Sequence, residues 1–519
     1  MKNSTLFFDP SHLARDLRRL IQHCRCSAIA DRAAWAIYLF SLIAGIAVWL
    51  RAVRAPLWLD ETGSYWQISS GFSQIWPRQF VCLAFPAYSY VLWLSSKFIG
   101  TSEVALRIPS ILAMLAAVYM LYLAAREMFG REIGLICATV FALNPIVVFE
   151  SVDVRPYAFV AFAVNTAILI LIRLRTSSSL VLAGTFGFVA AVIVAVHYLA
   201  AVILPALLLC FIVFKLPRGT GMWKQLAVAI GIFALAFLPL IPGFYYDFRT
   251  SKTHVFEQAP YLQDLFLTLV PPILAIALGA TGIAAAWIVR RRENVQFLKW
   301  HMLLCLSLAL IPVLILYGVS VSTPMHTFVP RHRLVAIPGI TLCWAMLLSP
   351  FRSRALRVFF CLIFVGMSAM AYLRSPHLGH HSYTWKYAIL AAEKSAASDD
   401  APVLICSDFP DADYIKMPTK TAKTDLYYAP LSYYQLSAPV VPLPRTLNAE
   451  TVRAGSEFLD AARQKHQRFL AMAYIPSYPT LDWLTRQASR GYSVHTVGTY
   501  DGIKVLEFVP ETSLAPSAQ

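Results

Sequence analysis

The chain has 519 residues, of which 58% are hydrophobic and only 14% are charged, with a mean hydropathy of +0.60. An ordinary soluble domain is nearer half apolar and a quarter charged, which argues against a soluble globular enzyme. The apolar residues also cluster in windows of about 17 to 25, the length that crosses a hydrocarbon core of about 30 Å. The composition therefore indicates a polytopic membrane protein.

The formal net charge of +16 is unevenly distributed. Residues 375–519 contain 13 Lys and Arg against 14 Asp and Glu, so the basic excess lies in residues 1–374, where cytoplasmic loops of membrane proteins collect Lys and Arg. No basic stripe alternates with aromatic residues, so we expect no nucleic acid partner. The nine cysteines form no CxxC pair and no Cys/His cluster of zinc spacing, and we predict neither a metal site nor a cofactor.

The apolar segments predict eleven membrane spans after a cytoplasmic N-terminal tail, residues 1–32. The tail carries five arginines, and no small-residue cleavage site follows the first apolar run, so this run is interpreted as a retained span rather than a signal peptide. The predicted spans are 33–53, 104–125, 132–150, 157–172, 179–196, 199–214, 225–243, 266–289, 300–320, 333–350 and 356–373.

The apolar segment 84–99 decides the predicted topology. If it were a twelfth span, the basic clusters between later spans, such as Arg290 to Arg292, would lie outside the membrane. Without it, every basic cluster and the N-terminal tail lie inside, as the positive-inside rule requires. We therefore expect an amphipathic or re-entrant helix at the outer interface for this segment, and an extracytoplasmic location for residues 375–519.

Residues 375–519 carry charges of both signs and turns rich in Pro and Asp, and they predict a small α/β domain beside a transmembrane domain over residues 33–374. The predicted helices are 384–396 and 455–466, and the predicted strands are Val403–Cys406, Phe469–Ile475 and Ile503–Phe508. Four tyrosines suit sugar stacking, packing on the membrane part or the core of this domain: Tyr427, Tyr428, Tyr433 and Tyr434. The predicted fold class is an α-helical polytopic membrane protein with this additional domain.

Acids, cations and aromatic residues converge on the predicted outer face. The first outer loop, residues 54–103, places Asp60 and Glu61 just beyond the membrane surface. Arginines outside run against the positive-inside rule and therefore point to a bound anion such as phosphate, which Arg binds bidentately. The outer arginines are Arg107, Arg155, Arg331 and Arg333. Further candidate substrate-binding residues are Asp153, Tyr157, His197 and Tyr198.

Each of these features also has a simpler structural interpretation. Adjacent acids at a helix start, such as Asp60 and Glu61, complement the helix dipole without any catalytic role. Tyr and Trp near a membrane surface are often belt residues. A histidine at the end of a span, such as His197, is often a core or solvated residue. The sequence leaves these alternatives open.

The order of the motifs resembles a known family. WLDETGSYW follows the first predicted span, VDVRPYAF lies in the second outer loop, HYLA begins at His197, and VPRHRLVAIPG lies late in the chain. Together they resemble bacterial GT-C glycosyltransferases of the protein O-mannosyltransferase and aminoarabinose transferase branch, which use polyprenyl-phosphate sugars. In that family the acidic pair of the first loop carries catalysis, which implies this role for Asp60 and Glu61. The second-loop arginine corresponds to Arg155 and the preceding acid to Asp153.

The resemblance implies transfer of a hexosyl or pentosyl group from a polyprenyl-phosphate donor to an acceptor hydroxyl, at the outer face of a bacterial inner membrane. A carboxylate at Asp60 would take the hydroxyl proton, while Arg155 and the Arg331/Arg333 pair neutralise the departing lipid phosphate. A single displacement would invert the anomeric centre without a metal, although the acids could hold a divalent ion weakly. Neither the sugar nor the acceptor is specified.

The alternative is a membrane transporter or a lipid-binding sensor with an extracytoplasmic domain. Transporters usually place ionisable groups and broken helices near the bilayer midplane, often in repeated halves. In this chain the charges lie at the ends of spans and no internal repeat is visible, which favours the enzyme.

Overall fold

The computed structural model describes residues 31–82, 86–215, 220–250, 258–288, 299–375, 384–407, 426–474 and 478–511. Helices build the part before residue 375. They are α1 (Asp31–Trp49), α2 (Leu59–Ser69), α3 (Phe72–Cys82), α4 (Pro86–Ile99), α5 (Glu103–Phe129), α6 (Arg131–Ala142), α7 (Pro145–Glu150), α8 (Tyr157–Leu174), α9 (Leu180–Val196), α10 (Leu204–Lys215), α11 (Thr220–Phe237), α12 (Ile241–Thr250), α13 (Leu262–Leu269), α14 (Pro272–Ile288), α15 (Lys299–Ser322), α16 (Pro330–Arg333), α17 (Ile337–Leu348) and α18 (Arg354–Arg374).

Within the described ranges, six helices are long and apolar enough to cross a membrane, and a seventh span results if the bent pair α13 and α14 is counted as one. The six are α1, α5, α8, the segment Gly221–Tyr245, α15 and α18. Every predicted span coincides with a helix or a helix pair, but the count of eleven is not confirmed. The reason is length: α6 and α17 have only 12 residues each, whereas a straight crossing needs about 20.

The predicted span 132–150 is broken in its middle. The Asn144 side chain caps α7, and the proline that follows cannot continue the hydrogen bonding of α6. Other helices satisfy the backbone carbonyl groups at the break. Trp49 of α1 donates its indole N–H to the Ala142 carbonyl at 2.9 Å, and Tyr372 of α18 donates its hydroxyl to the Leu143 carbonyl at 2.7 Å. The irregular backbone is thus paired inside the protein, as a membrane requires.

Small residues allow close helix packing in the bundle. At Gly187 of α9, an added Cβ would lie 2.0 Å from the Ala229 carbonyl oxygen of α11. At Gly339 of α17, it would lie 2.4 Å from the Ala309 backbone nitrogen of α15. Such contacts between backbones are typical of membrane helices, where van der Waals packing replaces the hydrophobic driving force.

The described part of the apolar segment 84–99 forms one short helix, α4. Helix α4 has 14 residues and is therefore too short for a straight crossing. Its buried side, with Tyr88 and Leu92, packs in a cluster with Leu57, while Phe98 is exposed. Residues 84 and 85 lie outside the described part of the chain, and the location of α4 at the membrane surface stays a prediction.

A five-stranded sheet confirms the C-terminal α/β domain. The elements are α19 (Lys386–Ala396), β1 (Val403–Cys406), α20 (Ala429–Tyr433), β2 (Val440–Pro442), α21 (Ala449–Gln464), β3 (Phe469–Tyr474), α22 (Tyr478–Ala488), β4 (Tyr492–Tyr500) and β5 (Ile503–Pro510). The order is β2-β1-β3-β5-β4, with β1 parallel to β2 and β3, and β5 antiparallel to β3 and β4. Strands β1, β3 and β5 were predicted, while β2 and β4 were not.

Alternating residues of the central strands face two separate cores. Val403 and Met472 pack with α19 on one face of the sheet, and Leu404 and Phe508 pack with α21 and α22 on the other. This alternation follows from the two-residue repeat of a strand. The result is a sheet covered by helices on both faces.

The C-terminal domain rests on α2, the helix that carries the acidic pair. Trp66 of α2 packs with Leu426 and Ala429 of the domain, and Trp58 pairs with Thr384 in an isolated antiparallel bridge. Of the three roles predicted for the four tyrosines of this domain, the structure shows two, the domain core and packing on the membrane part. Two lie in the domain core, and two contact the membrane part: Tyr427 and Tyr428 are buried, whereas Tyr433 and Tyr434 contact Thr101 and Glu103.

Candidate active site

The Asp60 carboxylate meets two arginines from distant segments. Its Oδ2 atom lies 3.3 Å from Nη1 of Arg331, in α16, and 3.7 Å from Nη2 of Arg155, in the turn before α8. The Asp60 side chain is 23% exposed, so a substrate can reach it. The structure therefore brings together the first outer loop, the second outer loop and the late VPRHR motif.

Glu61 has a different environment from its neighbour. Arg107 of α5 donates from Nε to Oε1 at 3.1 Å and from Nη2 to Oε2 at 2.7 Å. The backbone N–H groups of Trp58 and Val154 donate to the same carboxylate at 3.1 Å and 3.0 Å. Successive residues of a helix point about 100° apart, which separates the buried Glu61 from the accessible Asp60. Glu61 thus ties the start of α2 to α5 and to the second outer loop.

Arg107 is occupied by these structural contacts. Its side chain is fully buried, and besides Glu61 it donates to the backbone carbonyls of Val53, Ala55 and Pro56. Arg107 is one of the outer arginines from which the sequence predicted a bound anion. The anion it contacts is the carboxylate of Glu61.

Asp153 lies next to the acidic pair. The Trp58 indole N–H donates to Oδ1 of Asp153 at 2.8 Å. Oδ2 is buried and has no hydrogen-bond partner among the residues that the structure describes. Burial, together with the nearby carboxylates of Glu61 and Glu150, raises the pKa of Asp153 well above its usual range. Asp153 therefore holds a proton more readily than an exposed aspartate.

Several polar atoms of the site lack partners. In the described ranges, Nε of Arg155, Nε of Arg331 and Oε2 of Glu150 are buried without a hydrogen bond. Burial opposes the charge of Arg155, but the Asp60 carboxylate beside it still raises its pKa above the ordinary value. Both guanidinium groups stay charged, and the Nε–H of each has a hydrogen bond still to make.

An aromatic and imidazole cluster lies beside the arginines. The ring of His197, at the end of α9, lies 5.1 Å from Tyr157 and 5.4 Å from His332. Burial and then the Arg331 charge lower the pKa of His332 to about 3, and burial followed by His332 lowers that of His197. Both imidazoles are therefore neutral at physiological pH. Tyr198 stacks on His197 at a ring distance of 5.7 Å.

Arg333 points away from this cluster. Its Nη1 lies 2.5 Å from Oγ1 of Thr268, in α13, and its guanidinium lies over the Phe328 ring at 5.0 Å. Residues two apart on a helix are separated by about 200°, so Arg331 and Arg333 cannot share a side of α16. Of the predicted residues, Arg107, Asp153, Arg155 and Arg331 lie around Asp60 and Glu61, His197 and Tyr157 lie beside them, and Tyr198 contacts the site through His197.

Within the described residues, no group of three or more His, Cys, Asp or Glu side chains is placed to hold a metal ion. The expectation of a metal-independent site stays a prediction.

Comparisons with known proteins give the same architecture. Residues 84–246 match the family model described as dolichyl-phosphate-mannose-protein mannosyltransferase. The crystal structure of ArnT from Cupriavidus metallidurans in the apo state superposes with a TM-score of 0.53 at 12% identity, over 92% of this chain and 98% of that one. The chain therefore has the same fold as this ArnT. ArnT from the same organism bound to undecaprenyl phosphate matches with a TM-score of 0.50 at 11% identity, over 90% of this chain and 97% of that one. No curated protein sequence matches the chain.

Within this fold, two further groups that were not predicted as site residues join the site: Glu150 and His332. Glu150 ends α7, and its carboxylate lies in the field of Arg331 and Arg155. His332 lies between the two arginines of the late motif and contacts the Thr327 carbonyl through Nδ1 at 2.9 Å. His332 is adjacent in sequence to the predicted Arg331, and Glu150 lies three positions before the predicted Asp153. Only the fold shows that they face the same cluster.

Proposed function

We propose that this chain transfers a sugar from a polyprenyl-phosphate donor to an acceptor hydroxyl. The observation that supports it most is the placement of the Asp60 carboxylate against Arg155 and Arg331. A base and two phosphate-binding cations are the groups that such a transfer requires at one point. The GT-C fold and the matched family model support the same class of reaction.

Arg155 and Arg331 are the proposed contacts of the donor phosphate. Each has a buried Nε–H without a partner in the described part of the chain, and a phosphate oxygen would satisfy it. Their ion pairs with Asp60 are partly exposed and longer than 3 Å, so the singly charged phosphodiester of the donor can displace them at little cost. The undecaprenyl phosphate bound by the ArnT neighbour is consistent with a lipid phosphate as ligand.

The proposed chemistry is a single displacement at the anomeric carbon. The acceptor oxygen bonds to this carbon as the bond to the phosphate oxygen breaks, the acceptor proton passes to Asp60, and the polyprenyl phosphate leaves with both bonding electrons. The anomeric centre inverts. Arg155 and Arg331 stabilise the charge that develops on the leaving phosphate.

The other predicted residues receive narrower roles. We assign Glu61 to positioning, because four donors already occupy its carboxylate. The neutral His197 and the aromatic Tyr157 would contact the sugar or the acceptor by hydrogen bonding and stacking rather than by charge. Asp153 has an oxygen free in the described structure that suits a sugar hydroxyl. Arg333 would stabilise the packing of α13 through Thr268 rather than bind the donor.

Purified full-length chain in nanodiscs tests the proposal. We would supply undecaprenyl-phosphate pentoses and hexoses together with membrane extract as the source of acceptor, and measure the release of undecaprenyl phosphate. The matched control is Asp60→Asn, checked for an unchanged thermal midpoint. Turnover by the wild type and its loss in Asp60→Asn are expected. Binding of undecaprenyl phosphate with no turnover of any donor would favour the lipid-binding sensor.

We also propose a bacterial inner membrane location, with residues 1–32 cytoplasmic and the C-terminal domain outside, on the basis of the charge pattern. Cysteine labelling in intact cells tests this orientation. A cysteine at the exposed position Arg131 should resist an impermeant reagent, and one at the exposed position Ser398 should react. The reverse result contradicts the orientation.

A further inference from the structure

The three residues that precede Asp60 are held by the C-terminal domain. The backbone N–H of Leu57 donates to the Tyr434 hydroxyl at 2.6 Å. Trp58 pairs with Thr384 in an isolated bridge, and Leu59 packs on the core of the domain around α19 and α20. The segment that leads into the helix of the proposed base is therefore fixed by residues more than 300 positions later in the chain.

Tyr434 links this segment to α5 as well. Its hydroxyl accepts from Leu57 and donates to Oε1 of Glu103 at 2.8 Å, and the Lys386 ammonium lies 3.0 Å from the same oxygen. Glu103 is the first residue of α5, and Arg107, one turn later, holds Glu61. Burial and the hydrogen bond to Glu103 raise the pKa of Tyr434, so its hydroxyl remains a donor at any physiological pH.

The Leu57 N–H depends on this hydroxyl. Leu57 is fully buried, and a buried backbone N–H that loses its partner is costly. The Asp60 carboxylate is held by two long ion pairs, 3.3 and 3.7 Å, which do not fix its position by themselves. A displacement of about 1 Å in a reacting group can cost about 10²-fold in rate.

We propose that Tyr434 is a positioning residue for Asp60, through which the C-terminal domain sets the start of α2 at the distance that transfer requires. The domain is then part of the active site rather than a spacer. This inference rests on the proposed function of Asp60.

The neighbouring tyrosine provides a matched control. Tyr433 also bridges the domain and the membrane part: its hydroxyl donates to the Thr101 carbonyl at 2.9 Å, and its ring packs on Tyr65 at 4.9 Å. These contacts reach α2 and the start of α5 but not the backbone before Asp60. Tyr433→Phe removes one hydrogen bond of this interface, to Thr101, whereas Tyr434→Phe removes the bonds to Leu57 and Glu103.

The experiment compares Tyr434→Phe and Tyr433→Phe in the full-length chain in nanodiscs. Hydrogen exchange over residues 56–62, without any substrate, should become about tenfold faster in Tyr434→Phe and change less than about twofold in Tyr433→Phe. In the undecaprenyl phosphate release assay, kcat of Tyr434→Phe should fall about 10- to 100-fold. KM for the lipid-linked donor should stay within about threefold, because Arg155 and Arg331 are intact.

Two results would overturn the proposal: unchanged exchange over residues 56–62 in Tyr434→Phe, or equal effects of the two variants. If Tyr434→Phe does not insert, Glu103→Gln is the second variant. Glu103→Gln keeps an oxygen that accepts from Tyr434 but weakens the ion pair with Lys386. Hydrogen exchange over residues 56–62 should then accelerate by a smaller factor than in Tyr434→Phe. No acceleration in this peptide would count against the proposal. A wild type that turns over no donor refutes the proposed function, while the exchange comparison still decides whether Tyr434 holds the segment.

Discussion

Glu61→Gln and Asp60→Asn are expected to affect different properties although the two residues are adjacent. Glu61→Gln should lower the stability of the fold, and Asp60→Asn should lower turnover. Glu61→Gln removes the charge that balances Arg107, whose side chain is fully buried. Breaking a buried pair in this way costs about 3–5 kcal/mol, because the remaining charge has no compensation. The pairs of Asp60 with Arg155 and Arg331 are partly exposed, and such pairs contribute about 0–1 kcal/mol. Asp60→Asn should therefore fold almost normally.

The assay measures stability and turnover on the same preparations. Thermal unfolding in nanodiscs should show a clearly lower midpoint for Glu61→Gln and nearly the wild-type midpoint for Asp60→Asn. Release of undecaprenyl phosphate should fall about 10²- to 10⁴-fold in Asp60→Asn, the usual loss when a general base is removed. Titration with undecaprenyl phosphate serves as the control, since Asp60→Asn retains Arg155 and Arg331 and should bind the lipid as well as the wild type does.

Either of two results refutes this reasoning. Near-normal turnover of Asp60→Asn would remove Asp60 from the role of base. A Glu61→Gln protein with wild-type stability and a loss of turnover as large as that of Asp60→Asn would make Glu61 the catalytic acid residue. The ion pair with Arg107 would then be incidental to stability.

Three further outcomes are expected. Arg155→Lys keeps the charge but loses the planar fork, so its affinity for undecaprenyl phosphate should fall about tenfold, whereas Arg333→Lys should bind normally; equal losses contradict the assignment. The pKa of His332 is lowered to about 3 in the folded chain. Between about pH 6.5 and 3, only the unfolded chain binds a proton at this histidine. The free energy of unfolding therefore falls as the pH falls, by up to about 1.4 kcal/mol per pH unit. In His332→Gln the drop in thermal midpoint from pH 7 to pH 5 should be smaller than in the wild type, and an identical drop refutes the point. Gly187→Ala places a methyl group against the backbone of α11 and should destabilise the bundle by about 1–3 kcal/mol, while Gly279→Ala, which meets nothing within 4 Å, should not; similar midpoints for both contradict this packing.

The sequence predicted the elements whose signal is local. Hydropathy located every helix that is long enough to cross a membrane, and the short apolar run Val403–Cys406 predicted β1 with its observed bounds. Strand β2 was missed because three residues, Val440–Pro442, carry no periodicity. Strand β4 was missed because it lies at the edge of the sheet and most of its residues are at least partly exposed, so the apolar alternation is weak.

The roles within the candidate site depended on contacts that are distant in sequence. The motifs identified Asp60, Asp153, Arg155 and Arg331, which do converge. They could not distinguish Asp60 from Glu61, because the difference arises from Arg107, 46 positions away from Glu61. A sequence does not show whether a charged side chain is paired with another residue or is free to bind a ligand. Only the fold shows which arginines are already occupied.

The break between α6 and α7 has a consequence for biosynthesis. The Leu143 carbonyl receives its hydrogen bond from Tyr372, which is separated from it by 229 positions. At about 5–20 residues per second, a ribosome adds that stretch in roughly 10–50 s. Until Tyr372 has been made, the Leu143 carbonyl lacks this donor, whereas Trp49, made earlier, can already donate to Ala142. The break between α6 and α7 is therefore fully hydrogen-bonded only once α18 has been added.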